Sequence, residues 1–216
     1  MWDQRYSGEA YAYGTEPNEF LVAMEPRLPL GRVLCLGEGE GRNAVWLASQ
    51  GHDVTAADAS RVGLEKAERL AVERGVTITT VHSDLAKHEI DPDAWDGIVS
   101  VFCHLPPALR AEVHRRCVSG LRSGGVMLLE AYTPLQLEHG TGGPPVAELV
   151  MDEETLRAEL AGLEFLHLQE CEREIHEGAF HNGLGAVVQA DLPARVLVIS
   201  IENKGKSPAG LLFVGM

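Results

Sequence analysis

The stretch from Arg32 to Gly51, Arg-Val-Leu-Cys-Leu-Gly-Glu-Gly-Glu-Gly-Arg-Asn-Ala-Val-Trp-Leu-Ala-Ser-Gln-Gly, constrains the fold more than any other part of the chain. Val33, Leu34 and Leu36 form a short apolar run of the kind that a strand buried on both faces of a parallel sheet requires. Gly37, Gly39 and Gly41 break the run, and Ala44, Val45, Leu47 and Ala48 then recur at helical spacing up to a stop at Gly51. A strand, a glycine turn and a helix in that order make a ligand cradle. Backbone without Cβ lets a nucleotide-like group come close, and the unpaired N–H groups at the helix start point at it.

The glycine spacing selects among nucleotide ligands. A dinucleotide site wants a third glycine three residues after the second, and Arg42 occupies that position, so NAD is disfavoured. The loop also carries Glu38 and Glu40, which repel a diphosphate and suit a ligand with cationic groups. S-adenosylmethionine is such a ligand, with a sulfonium, an α-ammonium and no phosphate.

Leu36 to Ala48, followed by Gly-His-Asp-Val-Thr-Ala-Ala-Asp-Ala-Ser at 51–60, resembles the first two motifs of class I S-adenosylmethionine-dependent methyltransferases. Gly41-Arg42-Asn43 and the N-terminal Tyr13-Gly14-Thr15-Glu16-Pro17-Asn18 are similar to the tellurite-resistance and thiopurine type within that class. Two positions depart from the pattern. Cys35 stands where the family often has Asp, and packing is its expected role; Glu38 stands where a Cys or small residue is common. The resemblance spans roughly residues 1–190 and implies an α/β fold: a doubly wound, mostly parallel seven-stranded sheet with helices on both faces. Residues 191–216 form an extension outside it, with strand-like patterns at 195–201 and 211–214 that suit an edge strand or a dimer contact.

Further along the chain, Asp53 to Ala57 reads as a second strand with Asp58 and Ala59 at its end. Asp58 lies about twenty residues beyond Gly37, the separation at which nucleotide folds place a ribose-binding carboxylate. Its alternative is a helix cap, although Ser60 can cap the next helix, 61–74, unaided. A third strand at 76–81 leads to Asp84 and Leu85. The resemblance implies that Asp84 accepts from the adenine amino group while the Leu85 backbone serves the ring; the competing reading of Asp84 is a turn residue. The fourth strand, 97–102, ends at Phe102, Cys103 and His104, which are expected to border the methyl donor, with His104 the acceptor-side candidate and no catalytic residue assigned. Adjacent residues on a strand face opposite ways, so a Cys103–His104 nucleophile and base pair is disfavoured.

A helix at 108–121, a Ser123-Gly124-Gly125 turn and a fifth strand at 126–131 follow, and 132–145 reads as a long loop suited to an acceptor pocket. Asp152 opens another helix, and 163–176 with 186–190 form a closing antiparallel pair. His176, Glu177 and His181 flank the turn of that pair, where the spacing fits no standard metal site and a solvated hairpin is expected. Trp2, Tyr6, Tyr11, Tyr13 and Phe20 crowd the N-terminus. They read either as a lid over the donor, with Tyr13 touching it, or as an anchor for that end.

A formal net charge of −14 argues against a nucleic-acid partner, which needs a basic face. The acceptor is therefore expected to be a small nucleophile, a thiol or a chalcogen oxyanion among them, met by a monomer or homodimer. The start Met-Trp-Asp-Gln-Arg-Tyr lacks a leader pattern, and no apolar run approaches the roughly 20 residues of a membrane span, so a cytoplasmic protein is expected, with no membrane partner. Cys35, Cys103, Cys117 and Cys171 are scattered, with no metal or disulfide spacing.

Overall fold

A computed structural model describes residues 2–195. Seven strands form one sheet: β1 (Arg32–Leu36), β2 (Asp53–Asp58), β3 (Thr79–His82), β4 (Trp95–Val101), β5 (Leu121–Tyr132), β6 (His167–Glu177) and β7 (His181–Pro193). Their order across the sheet is β3-β2-β1-β4-β5-β7-β6. The first five run parallel, and β7 enters antiparallel between β5 and β6. The chain reverses direction along the sheet at β1, between β2 and β4, which opens a crevice at the C-terminal strand ends.

Helices cover both faces, as expected. On one side α2 (Glu19–Met24), α3 (Arg42–Ser49) and α4 (Arg61–Arg74) bring Leu21, Leu47 and Leu64 against Val33, Val54 and Val99. On the other, α5 (Pro107–Gly120) and α7 (Glu153–Glu159) set Val113, Cys117 and Leu156 against Leu34, Ile98 and Met127. Alternate residues of the central strands feed opposite cores, which is why these segments are apolar throughout. Each fully buried large aliphatic side chain contributes roughly 1.5–3 kcal/mol. Cys35 is wholly buried in the first of these cores, consistent with packing.

The differences from expectation have local causes. The third strand starts at Thr79 because Gly75, at φ 70°, ends α4, and Val76 donates back to the Ala71 carbonyl while packing on Leu70 and Val45. Its side chain closes a helix cap instead of entering the sheet. The Gly124 turn is absorbed as an irregularity within a longer β5, whose pairing jumps from Trp95↔Leu121 to Gly97↔Val126. Within 132–145 a short helix forms, α6 (Gln136–His139), held by the buried Gln136 amide, which accepts from the Ala186 N–H and donates to Thr141 and Gly142. β6 begins later than expected and β7 runs from His181 to Pro193. The patterns at 195–201 and 211–214 lie outside the described residues, Arg195 apart.

Among the described residues no helix is long and apolar enough to cross a membrane. The N-terminal segment begins with α1 (Trp2–Tyr6) and runs as a strap from Ser60 past the glycine loop to the β6–β7 turn, touching Ser60, Glu40, Asn43 and Ala179.

Candidate active site

The glycine loop and the end of β2 are tied together. Asp58 accepts from the Gly39 N–H at 2.9 Å through one carboxylate oxygen and from the Ser60 N–H at 2.7 Å through the other. Asp58 is buried, which lifts its carboxyl above the ordinary range, with the Ser60 and Gly39 N–H groups pulling the other way. Glu38 accepts the Asn43 and Ala44 N–H groups at 3.0 and 2.8 Å, capping α3. Burial raises the Glu38 carboxyl to about 7 against those two donors and Arg42. Gly41 has φ 91°, and a Cβ there would stand 2.5 Å from the Ala67 Cβ and 2.7 Å from its Cα. Gly41→Ala should therefore cost about 1–3 kcal/mol in urea unfolding, through overpacking against α4 and left-handed strain.

The second loop acid is not free for a ligand. Glu40 is buried, pairs with the equally buried Lys66, and accepts the Ala12 N–H at 2.7 Å. It fastens the N-terminal strap to α4. The strap then places Asp3 on the Ser60 hydroxyl at 2.5 Å and Tyr6 over the loop, where a Cβ on Gly39 would come 2.6 Å from the Tyr6 hydroxyl. Tyr13 accepts from Arg5 and packs its ring on Tyr6, Phe180 and His181. Asn43 accepts the Asn18 N–H at 2.9 Å, so the first turn of α3 also holds the strap.

Past β3, Asp84 is exposed and accepts the Ala86 N–H at 2.9 Å, the geometry of a turn aspartate with one oxygen still available. Leu85 is buried, and the exposed Ala59 offers its carbonyl to His82 at 3.0 Å. At the end of β4, Phe102 has φ 52°, a strained conformation for an aromatic residue, and stacks on Tyr132 with ring centroids 4.6 Å apart. Cys103 backs the loop: a Cβ on Gly37 would lie 2.8 Å from its sulfur. Burial pushes this thiol up to about 12, so it stays protonated.

His104 is a brace between β4 and β5. Its Nε2 accepts the Tyr132 N–H at 3.0 Å, its ring stacks on Tyr132, and burial brings the imidazole down to about 3. With that lone pair occupied it is poorly placed to take a proton.

Sequence reasoning missed a buried polar network beside the crevice. Glu130, fully buried on β5, accepts from Asn18, from Arg173 through Nε and Nη2, and from Gln189 at 2.5–2.9 Å. Glu177 accepts from Arg42 at 2.6 Å and Asn18 at 2.9 Å. Glu177 and His181 are therefore not part of a solvated turn; they are 7% and 8% exposed. The strap covers them: the Ala179 N–H donates to the Ala12 carbonyl, and the Gly178 Cα leaves no room for a side chain against Ala12 and Gly14. Only His176 keeps the exposed position, on Asn182. No three His, Cys, Asp or Glu side chains among the described residues are grouped as a metal site would require.

The comparisons agree with this geometry. The family profile described as "Methyltransferase domain" matches residues 33–125. A solved structure connected with conversion of a disulfide bond into a thioacetal group during echinomycin biosynthesis superposes with TM-score 0.73 at 19% identity, covering 90% of each chain. TehB from Haemophilus influenzae superposes with TM-score 0.67 at 21% identity, over 90% of this chain and 66% of that one. The fold is that of class I S-adenosylmethionine-dependent methyltransferases. A relative named 2-heptyl-1-hydroxyquinolin-4(1H)-one methyltransferase, from Mycobacteroides abscessus, is 26% identical over 161 residues, 68% of this chain and 71% of its own.

In the class I fold the donor lies over the glycine loop, and the residues here suit it. Asp58 has spent one lone pair on each oxygen and keeps roughly half of its acceptor capacity. Glu38 takes both backbone donors on one oxygen and has the Cys35 thiol hydrogen-bonded to its carboxyl, and a buried carboxyl raised to about 7 ionises more readily with a cation beside it. An acceptor-rich loop of this kind does not suit a diphosphate.

Proposed function

We propose that this protein transfers the methyl group of S-adenosylmethionine to a small-molecule nucleophile by direct displacement. The observation that carries the reading is the buried, half-satisfied Asp58 carboxylate locked to Gly39 at the end of β2. Glu38 and Asp58 would hold the ammonium and ribose, with Asp84, Leu85, Ala59 and Phe102 along the adenosine and methyl side. The donor supplies an electrophilic methyl on a sulfonium, which needs no acid to activate it.

What the chain must supply is alignment and dryness. Positioning of this kind contributes up to about 7–11 kcal/mol of barrier lowering. The strap, with Tyr6 and Tyr13 inward, would exclude water over the reacting centre. At the ends of the fourth and fifth strands the rings of Tyr13, Phe102, Tyr132 and His181 pack on one another with centroids 4.6–5.3 Å apart, an aromatic wall against which a small, flat acceptor would lie. Resemblance to the tellurite-resistance and thiopurine type places thiols and chalcogen oxyanions in the same test.

The test is calorimetric titration with S-adenosylhomocysteine and NAD, then incubation with methyl-labelled donor and a panel of thiols, phenols and chalcogen oxyanions. We expect binding of the adenosyl ligand alone, label transfer to at least one acceptor, and slower hydrogen exchange at residues 2–18 once the ligand is bound. Tighter NAD binding, or no transfer to any acceptor, would overturn the reading.

A further inference from the structure

We infer that His181, backed by Glu177, takes the proton from a phenolic hydroxyl of the acceptor. The inference rests on the methyltransferase reading and names both the acceptor class and the group that activates it.

The geometry is that of a histidine held by a carboxylate. His181 opens β7, directly opposite Glu177 across the hairpin, and its Nδ1 faces the Glu177 carboxylate at 3.6 Å. That distance is too long for a hydrogen bond, and Nδ1 has no other partner although it is buried. Catalytic hydrogen bonds are often this loose before substrate arrives and tighten in the complex. With Nδ1–H directed at Glu177, the free lone pair is on Nε2, at the opposite side of the ring. The ring itself is walled by Tyr13 at 4.6 Å, Phe102 at 4.7 Å and Tyr132 at 5.3 Å between centroids. Phe102 is the first residue beyond β4 and Tyr132 is the last of β5, so the imidazole sits at the C-terminal ends of these two strands, the half of the crevice the reading gives to the acceptor. Gly142 of the 140–145 loop closes over it, since a Cβ there would come 3.1 Å from the His181 Cδ2.

Such a site suits an aromatic ring with an ionisable hydroxyl. The ring is received by aromatic faces, and the hydroxyl needs a base because a phenol is mostly protonated at neutral pH. The bookkeeping is simple. The hydroxyl proton passes to Nε2; the oxygen forms its bond to the methyl carbon as the methyl–sulfur bond of the donor breaks, that electron pair remaining on sulfur. The imidazolium, stabilised by Glu177, then returns its proton to solvent.

The surrounding charges set the pH response. Burial brings His181 below its ordinary range, and Arg42 on α3 acts the same way. Glu177 on β6 and Glu130 on β5 oppose them, and His104, Tyr13 and Tyr132 complete the titratable groups around the ring. His181 is therefore neutral, and able to accept a proton, at pH 7. Rate should fall as pH drops through a value below about 6.5.

The experiment compares wild type with His181→Asn, using 4-methylphenol and thiophenol as acceptors, with S-adenosylhomocysteine affinity measured separately. The expected result is unchanged ligand affinity, a loss of about 10²–10⁴-fold in kcat on 4-methylphenol, and a loss under about tenfold on thiophenol, which ionises unaided. Equal losses on both acceptors, or no loss on either, would overturn the inference and leave the methyltransferase reading in place. Failure of the wild type to methylate 4-methylphenol while it methylates thiophenol overturns the acceptor class. Absence of ligand binding overturns both readings. Should the variant not fold, the wild-type protein decides: bound 4-nitrophenol should show the phenolate absorption at a pH where the free compound is largely protonated, and the protonated spectrum would refute the base.

Discussion

Glu130→Ala should lower the stability of the protein by about 3–5 kcal/mol, the range for stripping one partner from a buried ion pair. Glu130 is fully buried, and it neutralises Arg173, whose side chain is 15% exposed. Removing the carboxylate leaves that guanidinium with Glu177 and the exposed Glu19, each at 3.4 Å, takes one of the two acceptors from the Asn18 amide, and removes the one Gln189 donates to. The cost comes mainly from a largely buried guanidinium losing its closest carboxylate and two hydrogen bonds, with only the two longer pairs left to it. Glu130→Gln, which keeps the shape and part of the hydrogen bonding, should cost about 1–3 kcal/mol. Urea unfolding with an unchanged m-value checks both, and equal stability of the alanine variant would refute the account. Acid acts on the same network through Glu177. Burial works to raise that carboxyl, but His181, Arg42 and Arg173 outweigh it and hold it at about 2. A lowered carboxyl stabilises the fold above its ordinary value of 4.5, and that contribution is lost as pH falls through about 2.

Asp58→Ala should weaken S-adenosylhomocysteine binding by about 1.5–3 kcal/mol, the range for hydrogen bonds to a charged group. Two effects combine. The variant lacks the remaining acceptor sites for a ribose, and it also frees the Gly39 and Ser60 N–H groups that hold the loop in shape. Asp58→Asn separates them: its amide oxygen can still accept one N–H, so a smaller loss with intact unfolding behaviour is expected. Titration calorimetry measures the affinity, and full affinity in a folded alanine variant would remove Asp58 from the site.

The legible part of the chain is local. Val33 to Gly51 announces a strand, a turn and a helix because a buried parallel strand must be apolar throughout and a close turn needs residues without Cβ; the structure supplies β1, α3 and positive φ at all three loop glycines. Asn18 and Ser60, both residue types that cap helices, do cap α2 and α4. Val76 was legible as apolar and β-branched, but its use in a helix cap depended on how α4 met Val45 and Leu70.

The polar half of the site was not legible, and the reason is physical. Charged side chains read as solvated by default, because composition carries no record of what will cover them. Glu130 looks like one polar residue at the end of an apolar strand, and Glu177 and His181 look like a hairpin turn; they become buried only when Ala12 to Asn18 folds across them from more than a hundred residues away. The same closure reassigns Glu40 from a ligand acid to the partner of Lys66 and the Ala12 N–H, while the pairing of β4 with β5 makes His104 a brace, through one backbone N–H at Tyr132. The sequence by itself determined the glycine cradle, the carboxylate at the end of β2 and the layered sheet, since each follows from neighbours a few residues apart. Only the tertiary structure decided which charges pair, which histidine nitrogens are buried without a partner and which rings pack on Tyr132, because those depend on desolvation by segments far apart in the chain.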